Sequence, residues 1–312
     1  MARRFTLRQL EYFVAVGEAG SVAAAAGIVN VSSPSISAAI AQLENEIGLT
    51  LFVRKHAKGL ALTQAGRQFM AQAVRLLKEA DKINQLARDI AGKVQGPLAL
   101  GCLLTFAQLI VPHLRREFET AFPDVQVSQS EHDQSDLFAL LRAGKIDLAL
   151  TYNLDIPDDF TFIPLAELPP YALFSATHPL AQRPVVLVNE LCDYPMVLLD
   201  LPLSTNYFLS FFQGAGLRPN ITERTRDMAV MRSLVANDFG YSIINIRPRN
   251  DLAPDGRKLC FVPLKGDLRP MNLGLLTCAG AQNVLTVQAF IEHCQAHISS
   301  RTIPGIKMNA AG

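Results

Sequence analysis

The residues best equipped for chemistry lie between Val31 and Arg54, in the run VSSPSISAAIAQLENEIGLTLFVR, and just beyond it. Ser33, Ser35, Ser37, Gln42 and Asn45 can each form hydrogen bonds, Pro34, Ala38 and Ala41 are small and uncharged, and Arg54, Lys55 and Lys58 follow as a cationic cluster. No nucleophile is paired with a base in this set. The chemistry it suits is recognition: hydroxyls and amides reach polar edges, small side chains allow close approach, and cations neutralise phosphates.

A helix must carry this set. Ser33 reads as its cap, with Pro34 at the first position, where a missing N–H costs nothing. Ile36, Ile40, Leu43 and Ile47 recur at intervals of 4, 3 and 4 and form an inward stripe. The opposite face is Pro34, Ser35, Ala38, Ala41, Gln42 and Asn45, small and polar enough to lie in a DNA groove. Gly48 ends the helix. Leu51–Val53 and Leu60–Leu62 alternate like strands around a basic turn, a hairpin able to grip phosphates as a wing. Upstream, Thr6 caps a helix bearing Leu7, Leu10 and Val14 that ends near Gly17–Gly20. Ser21 caps a second helix over Val22–Ala26, and Gly27 and Asn30 supply a turn. Residues 1–62 thus read as an all-α winged helix-turn-helix.

Thr63 opens a long helix over residues 63–92. Phe69, Ala73, Leu76, Ala80, Ile83, Ala87 and Ile90 alternate in steps of 4 and 3 along it, a heptad seam that calls for a partner helix and predicts dimerisation. Gly92 and Gly96-Pro97 end it.

From residue 93 to 312 strands alternate with helices, which predicts a mostly parallel sheet. Leu98–Leu104 reads as a strand, Thr105 to about Phe122 as a helix, Val125–Gln129 as a strand, Asp133–Ala143 as a helix, and the run to Tyr152 as a buried strand. Thr161–Leu165 and Tyr171–Ser175 follow as extended segments. A second set repeats the order: Met196–Leu199, Ser204–Gln213, Ile221–Thr225, Met228–Asn237 and Tyr241–Asn245. Leu259–Pro263 and Asn272–Thr277 read as strands returning to the first set, and Val284–His297 as a closing helix. The expectation is two α/β lobes, one of about 97–165 plus 269–300 and the other about 166–268, hinged around a cleft. Ligands in such folds bind beyond the carboxyl ends of strands. That rule nominates Thr105, Phe106, Gln129, Glu131, His132, Tyr152 and Asn153 from the first lobe. From the second it nominates Leu201, Pro202, Ser204, Thr205, Arg226, Asp227, Met228 and Asn245. Arg226 and helix N-termini favour a carboxylate, Glu131 and Asp227 an amine, and the expected ligand is a small polar metabolite bearing a carboxylate.

The net charge of +1 hides an asymmetry: residues 1–96 hold 12 Lys+Arg against 7 Asp+Glu, the remainder 17 against 21. A basic front suits a nucleic-acid partner there only. The five cysteines, Cys102, Cys192, Cys260, Cys278 and Cys294, are scattered with no CxxC, which argues against a disulfide framework. No signal-peptide core is visible at the N-terminus, and the uncharged run Val94–Leu114 is interrupted by glycine and proline. A soluble, cytoplasmic protein with no membrane contact is expected. Nucleophile elbow, phosphate loop and dinucleotide fingerprint are all missing, so neither enzyme activity nor a cofactor is expected. His293 and His297 share one helix face, but a zinc site needs further ligands and none stands near in sequence, so no metal is expected.

The run FTLRQLEYFVAVGEAGSVAAAAGIVNVSSPSISAAIAQLENEIGLTLFVR, continued by Leu62-Thr63-x-Ala65-Gly66, resembles the N-terminal domain of LysR-type transcriptional regulators. Leu141-Arg-x-Gly144-Lys-Ile-Asp147-Leu-Ala and Ser233-Leu-Val-Ala-Asn-x-x-Gly240-Tyr fit the same family more loosely. The resemblance implies that Ser33 and Ser37 hold phosphates, that the long helix dimerises, and that the back region is an effector domain similar to periplasmic binding proteins. It also implies a dimer of dimers on promoter DNA, with RNA polymerase a further candidate partner. One departure stands out. Members commonly carry basic residues near Ala38 and Ala41, and this helix has no Lys or Arg. Ser35 and Gln42 are then the candidates for base hydrogen bonds, Ala38 and Ala41 for thymine methyls, and Arg54, Lys55 and Lys58 for cationic anchoring. A ligand-controlled DNA-binding regulator is the expected function. The alternatives are a cysteine-based redox-sensing regulator and a binding protein or enzyme built on the two lobes, which leaves residues 1–90 without a role.

Overall fold

The computed structural model describes residues 5–55, 59–90, 92–281, 284–299, 303 and 306–308, with the side chains of residues 54, 55, 82, 84–90, 307 and 308 outside the description. The chain separates into two compact units, Met1–Ile90 and Ala91–Gly312.

In the front unit α1 (Leu7–Ala19), α2 (Val22–Val29) and α3 (Ser33–Ile47) precede the antiparallel hairpin of β1 (Phe52–Lys55) and β2 (Gly59–Leu62), and α4 (Gln64–Ile90) follows. Local chemistry sets each boundary. Thr6 and Gln9 form a capping box at the start of α1. Asn30 closes α2 in the left-handed conformation, at φ 52°. Ser32 caps α3, its hydroxyl accepting from the Ser35 amide. The expected cap, Ser33, is instead the first helical residue and Pro34 the second, because Ser32 is the last serine of the run with extended backbone. Leu10, Phe13, Val16, Ile36, Leu43 and Leu51 are buried and hold the three helices together.

Two further contacts fix the hairpin. Glu44 Oε1 accepts from the amides of Leu51 and Phe52, at 2.6 and 3.2 Å. A Cβ at Gly66 would stand 2.2 Å from the Leu51 carbonyl oxygen, so only glycine lets α4 start this close to the loop before β1.

The proposed heptad seam divides in two. Phe69 meets Phe13 and Phe5 ring to ring, at 5.4 and 6.5 Å, and Ala73 is buried in the same cluster. These two residues therefore serve their own domain, because α1 supplies the apolar face they need. Leu76 and Ile83 remain 42% and 69% exposed and Ala80 half-buried, so the part of the seam not used within the front unit starts later. The side chains of Ala87 and Ile90 lie outside the described residues.

The back unit contains two sheets. The chain runs through β3 (Gly96–Leu103), α5 (Leu104–Leu109), α6 (Val111–Ala121), β4 (Val125–His132), α7 (Gln134–Arg142), β5 (Leu148–Tyr152) and β6 (Phe160–Leu168). It crosses into β7 (Tyr171–Ser175), β8 (Val186–Leu187), α8 (Val188–Leu191), β9 (Pro195–Leu199), α9 (Ser204–Gly214), β10 (Asn220–Thr225), α10 (Met228–Ala236), β11 (Ser242–Ile244) and β12 (Leu259–Lys265). It then returns through β13 (Met271–Cys278), α11 (Leu285–His297) and β14 (Lys307–Met308). The first sheet has the order β14-β6-β13-β5-β3-β4, with β3 parallel to both β4 and β5. The second has the order β11-β7-β12-β8, with the parallel pair β9–β10 joined to it through a Met196–Tyr241 bridge.

Three expectations are corrected. The first sheet is mixed and not mostly parallel, since β13 pairs antiparallel with β5 and β6 and β14 with β6. The helix expected from Thr105 to Phe122 is two helices that break at Ile110. Pro112 donates no N–H and would clash with the carbonyl four residues back. Leu259–Pro263 does not return to the first sheet: it pairs antiparallel with β7, and the chain crosses only after Lys265. Among the described residues no single helix is long and apolar enough to cross a membrane.

Candidate functional site

The outer face of α3 is the one its sequence predicts. Ile36, Ile40 and Leu43 are buried, while Pro34, Ser35, Ser37, Ala38, Ala41, Gln42 and Asn45 are exposed and Ser33 half-exposed. Two local hydrogen bonds hold this face. The hydroxyls of Ser32 and Ser35 stand 2.8 Å apart, and Gln42 Nε2 donates to Glu46 Oε1 at 2.9 Å. An open groove of about 490 Å³ runs beside it, lined by Arg8, Tyr12, Ser35, Ala39, Gln42 and Glu46 among others. Arg8 Nε donates to the Tyr12 hydroxyl at 2.8 Å, which places a cation at this rim. The backbone of Arg54 and Lys55 forms the end of β1; their side chains, and the whole of Lys58, lie outside the described residues. The arrangement presents an exposed α3 face free of Lys and Arg, with hydrogen-bonding groups at its centre.

In the back unit the carboxyl ends of β3, β4, β5, β9 and β10 converge on a cavity of about 350 Å³. Of the nominated residues Thr105, Glu131, His132, Tyr152, Leu201, Pro202, Ser204, Arg226 and Met228 line it. Thr105, Tyr152, Ser204 and Met228 are buried, so their positions are set by packing. The Tyr152 ring stands edge-on to Phe106 at 4.8 Å, and burial pushes its hydroxyl well above the ordinary tyrosine range, so it stays a neutral phenol. Arg226 is exposed at the cleft and makes no ion pair among the described residues.

Six nominated residues do other work. Phe106 lies wholly inside the core behind Tyr152. Gln129 is turned to Glu131, donating at 2.7 Å. Thr205 donates to Asp200 at 3.0 Å. Asp227 caps α10, accepting from Ala229 and Val230 at 2.7 and 3.1 Å. Asn153 and Asn245 sit at the two crossings between lobes. Asn153 Oδ1 accepts from the Asn272 amide at 2.8 Å, and its carbonyl accepts from Arg269 at 3.2 Å. Asn245 Nδ2 donates to the Leu168 carbonyl at 2.8 Å and to Tyr207 Oη at 3.0 Å. Strand ends nominate both kinds of position alike; only packing separates the cleft from the hinge.

Leu103, Leu104, Gln108, Asp133, Gln134 and Asp136 line the cavity without having been nominated. Most lie within one helical turn of a strand end, and extending the same rule by a turn would have found them. Gln134 is buried and donates to the carbonyls of Tyr152 and Leu154 at 3.1 and 2.8 Å, which locks the α7 start to the end of β5.

Three of the cysteines, Cys102, Cys192 and Cys294, are poorly placed to ionise. Burial and the neighbouring Glu131 push the Cys102 thiol up to about 12. Burial alone raises Cys294, and burial with Asp193 raises Cys192. None of the five, all among the described residues, is joined in a disulfide.

Comparison with known proteins accords with this geometry. HinK, a LysR family transcriptional regulator from Pseudomonas aeruginosa, has a solved structure similar over 95% of this chain and 99% of its own, with a TM-score of 0.64 and 32% identity. The structure of full-length CbnR with its target DNA shares the fold over 94% of this chain and 99% of its own, with a TM-score of 0.66 at 24% identity. A hydrogen peroxide-inducible genes activator from Haemophilus influenzae is 29% identical over 239 residues, 76% of this chain and 79% of that protein. Residues 7–67 match the bacterial regulatory helix-turn-helix protein, lysR family, and residues 91–299 match the LysR substrate binding domain. The chain therefore belongs to the LysR family of ligand-responsive, DNA-binding transcriptional regulators.

Proposed function

We propose that this regulator senses a small carboxylate-bearing metabolite in the cleft between its α/β lobes, and that occupancy changes the spacing or angle of its paired DNA-binding domains. The observation that carries this reading is Arg226: an exposed guanidinium with no ion pair among the described residues, beside buried Thr105, Tyr152 and Ser204 in a cavity of about 350 Å³, matches one carboxylate on a small molecule. Effector would draw the lobes together and shift the population of two regulator states through its differential affinity for them. Leu76 and Ile83 on α4 would pair with a second copy, dimers would assemble into tetramers on promoter DNA in the cytoplasm, and RNA polymerase would read the outcome. The α3 face, with Ser35 and Gln42, would contact bases, while Ser33, Ser37, Arg54, Lys55 and Lys58 would hold phosphates. Nothing in this role requires enzymatic turnover.

The test is a thermal-shift screen of carboxylate metabolites on the full chain. A true effector at one hundred times its Kd stabilises by about 2.7 kcal/mol. Arg226→Ala should lose that shift while keeping its own unliganded melting point. A stabilising ligand that ignores Arg226→Ala would reject the carboxylate assignment.

A redox reading draws on the peroxide-inducible relative. The raised thiols of Cys102, Cys192 and Cys294 favour the metabolite reading, since the thiolate is the reactive form. Peroxide response lost on replacing all five cysteines with serine would reverse that preference.

A further inference from the structure

The wall of the effector cleft holds one residue in a backbone conformation that its side chain disfavours. Leu203 stands at φ 64° and ψ −43°, between the cavity-lining residues Pro202 and Ser204. The Ser204 amide donates to the Pro202 carbonyl at 2.8 Å, so the three residues form a γ-turn of the rare, strained hand. The other non-glycine residues with positive φ among the described residues are Asn30, Asp155 and Asp238, whose short polar side chains tolerate it. Leucine has no such compensation. Leu203 also occupies the cap position of α9, where Ser, Thr, Asp or Asn would bond a helix amide, and its side chain makes no such bond.

What holds the turn lies partly in the first lobe. The half-buried Leu203 side chain packs on the apolar cluster that includes Leu137 and Phe138 of α7 and Phe160 of β6. Among the described residues it is the one partly buried apolar side chain of 166–268 to do so. Local bonds add to the hold: the Thr205 amide donates to the Leu201 carbonyl at 3.1 Å, and the Leu203 carbonyl accepts from the Tyr207 amide at 3.3 Å. Strained backbone persists only where its surroundings over-determine it. Here those surroundings include a contact that exists only while the two lobes touch. The same α7 starts with Gln134, which lines the cavity from the first lobe. Docking of one leucine therefore joins the two walls of the cleft, although Leu203 does not itself line the cavity.

We propose that Leu203 is a latch between the lobes. Docked on the first lobe, it holds Pro202–Ser204 in the strained turn; when the lobes part, the side chain leaves and the turn relaxes. Burial of the leucine favours the docked state and relief of strain favours the parted one. The two oppose each other, which narrows the gap that an effector must tip through its differential affinity for the two states. Leu203 is thus a positioning residue, acting on the cleft read above as the effector site.

The test is amide hydrogen exchange of the full chain and of three variants, followed over 201–207 and over 135–142. Leu203→Ala should raise exchange roughly tenfold in both segments. Leu203→Gly should raise it as much over 135–142 but less over 201–207, because glycine takes the positive φ without cost. Leu203→Met, which restores the apolar reach, should return both segments towards the parent. Unchanged protection in β3 and β9 shows that each variant is folded. Parent-like exchange over 135–142 in Leu203→Ala would overturn the latch, since a turn of only local importance leaves α7 as it was. Parent-like exchange over 201–207 in Leu203→Ala would overturn the strain. No ligand enters these measurements, so their outcome is separate from that of the carboxylate assignment.

Discussion

Gln42 donates from Nε2 to Glu46 Oε1 at 2.9 Å on the exposed face of α3, so the one long uncharged hydrogen-bonding side chain at the centre of the reading face is held by a carboxylate one turn on. Its Oε1 is left to accept and its second Nε2 proton to donate, so bidentate contact with adenine can form with the bond to Glu46 in place. Gln42→Ala should cost about 1–3 kcal/mol of discrimination at one base position. Lys58→Ala should weaken binding to all sequences alike and lower the salt slope by about 1. Base-by-base footprints of both variants check this; an unchanged preference in Gln42→Ala would refute it.

The exposed part of the α4 seam makes a separate prediction. Ile83 is 69% exposed, and a charge there costs an isolated chain nothing. Ile83→Glu should dissociate the oligomer in light scattering and weaken operator binding by more than tenfold, because two half-sites no longer act together. Phe69→Ala should instead destabilise the front unit by about 3–5 kcal/mol, since that ring packs on Phe13. Equal effects of the two substitutions on oligomeric state would contradict this division.

Asn245 ties the second lobe to the crossing segment at Leu168 and to Tyr207, whose hydroxyl donates to the Arg269 carbonyl of the other crossing at 2.7 Å. Asn245→Ala leaves that buried carbonyl and hydroxyl short of a donor. About 1–3 kcal/mol of stability should be lost in denaturant unfolding, with effector affinity changed through the hinge and not through contact. Unchanged stability would show that the crossing is held elsewhere.

The pH dependence should reflect Asp238. The hydroxyls of Ser175 and Thr177 donate to its carboxylate and, with Arg257 and His178 nearby, hold it below its usual value of 3.8. A depressed carboxyl contributes stability above its unfolded value and loses it as pH falls through the folded one. The melting temperature should therefore drop between about pH 5 and pH 3. Asp238→Asn, which tolerates the φ of 64° at this position, should flatten the drop. Identical pH profiles would remove Asp238 from the account.

Much of this was legible in the residues. The 4-3-4 stripe from Ile36 to Ile47 determined which face of α3 is exposed, and strand ends located nine of the residues lining the cleft. What escaped depends on partners that periodicity does not name. A seam asks for an apolar face but does not say whose, so Phe69 and Ala73 went to α1 and not to a second chain. A strand end places Asn245 as well as Tyr152 near a crossing, yet only packing turns one to the hinge and the other to the cavity.

The central claim is that cleft occupancy controls DNA binding. The most direct measurement is operator affinity and footprint of the full chain, with and without a ligand found by thermal shift, in the parent and in Arg226→Ala. The account predicts that ligand shifts affinity or footprint in the parent, and that Arg226→Ala binds DNA as the parent does but ignores the ligand. A ligand that stabilises the protein through Arg226 yet leaves DNA binding unchanged in both would contradict it.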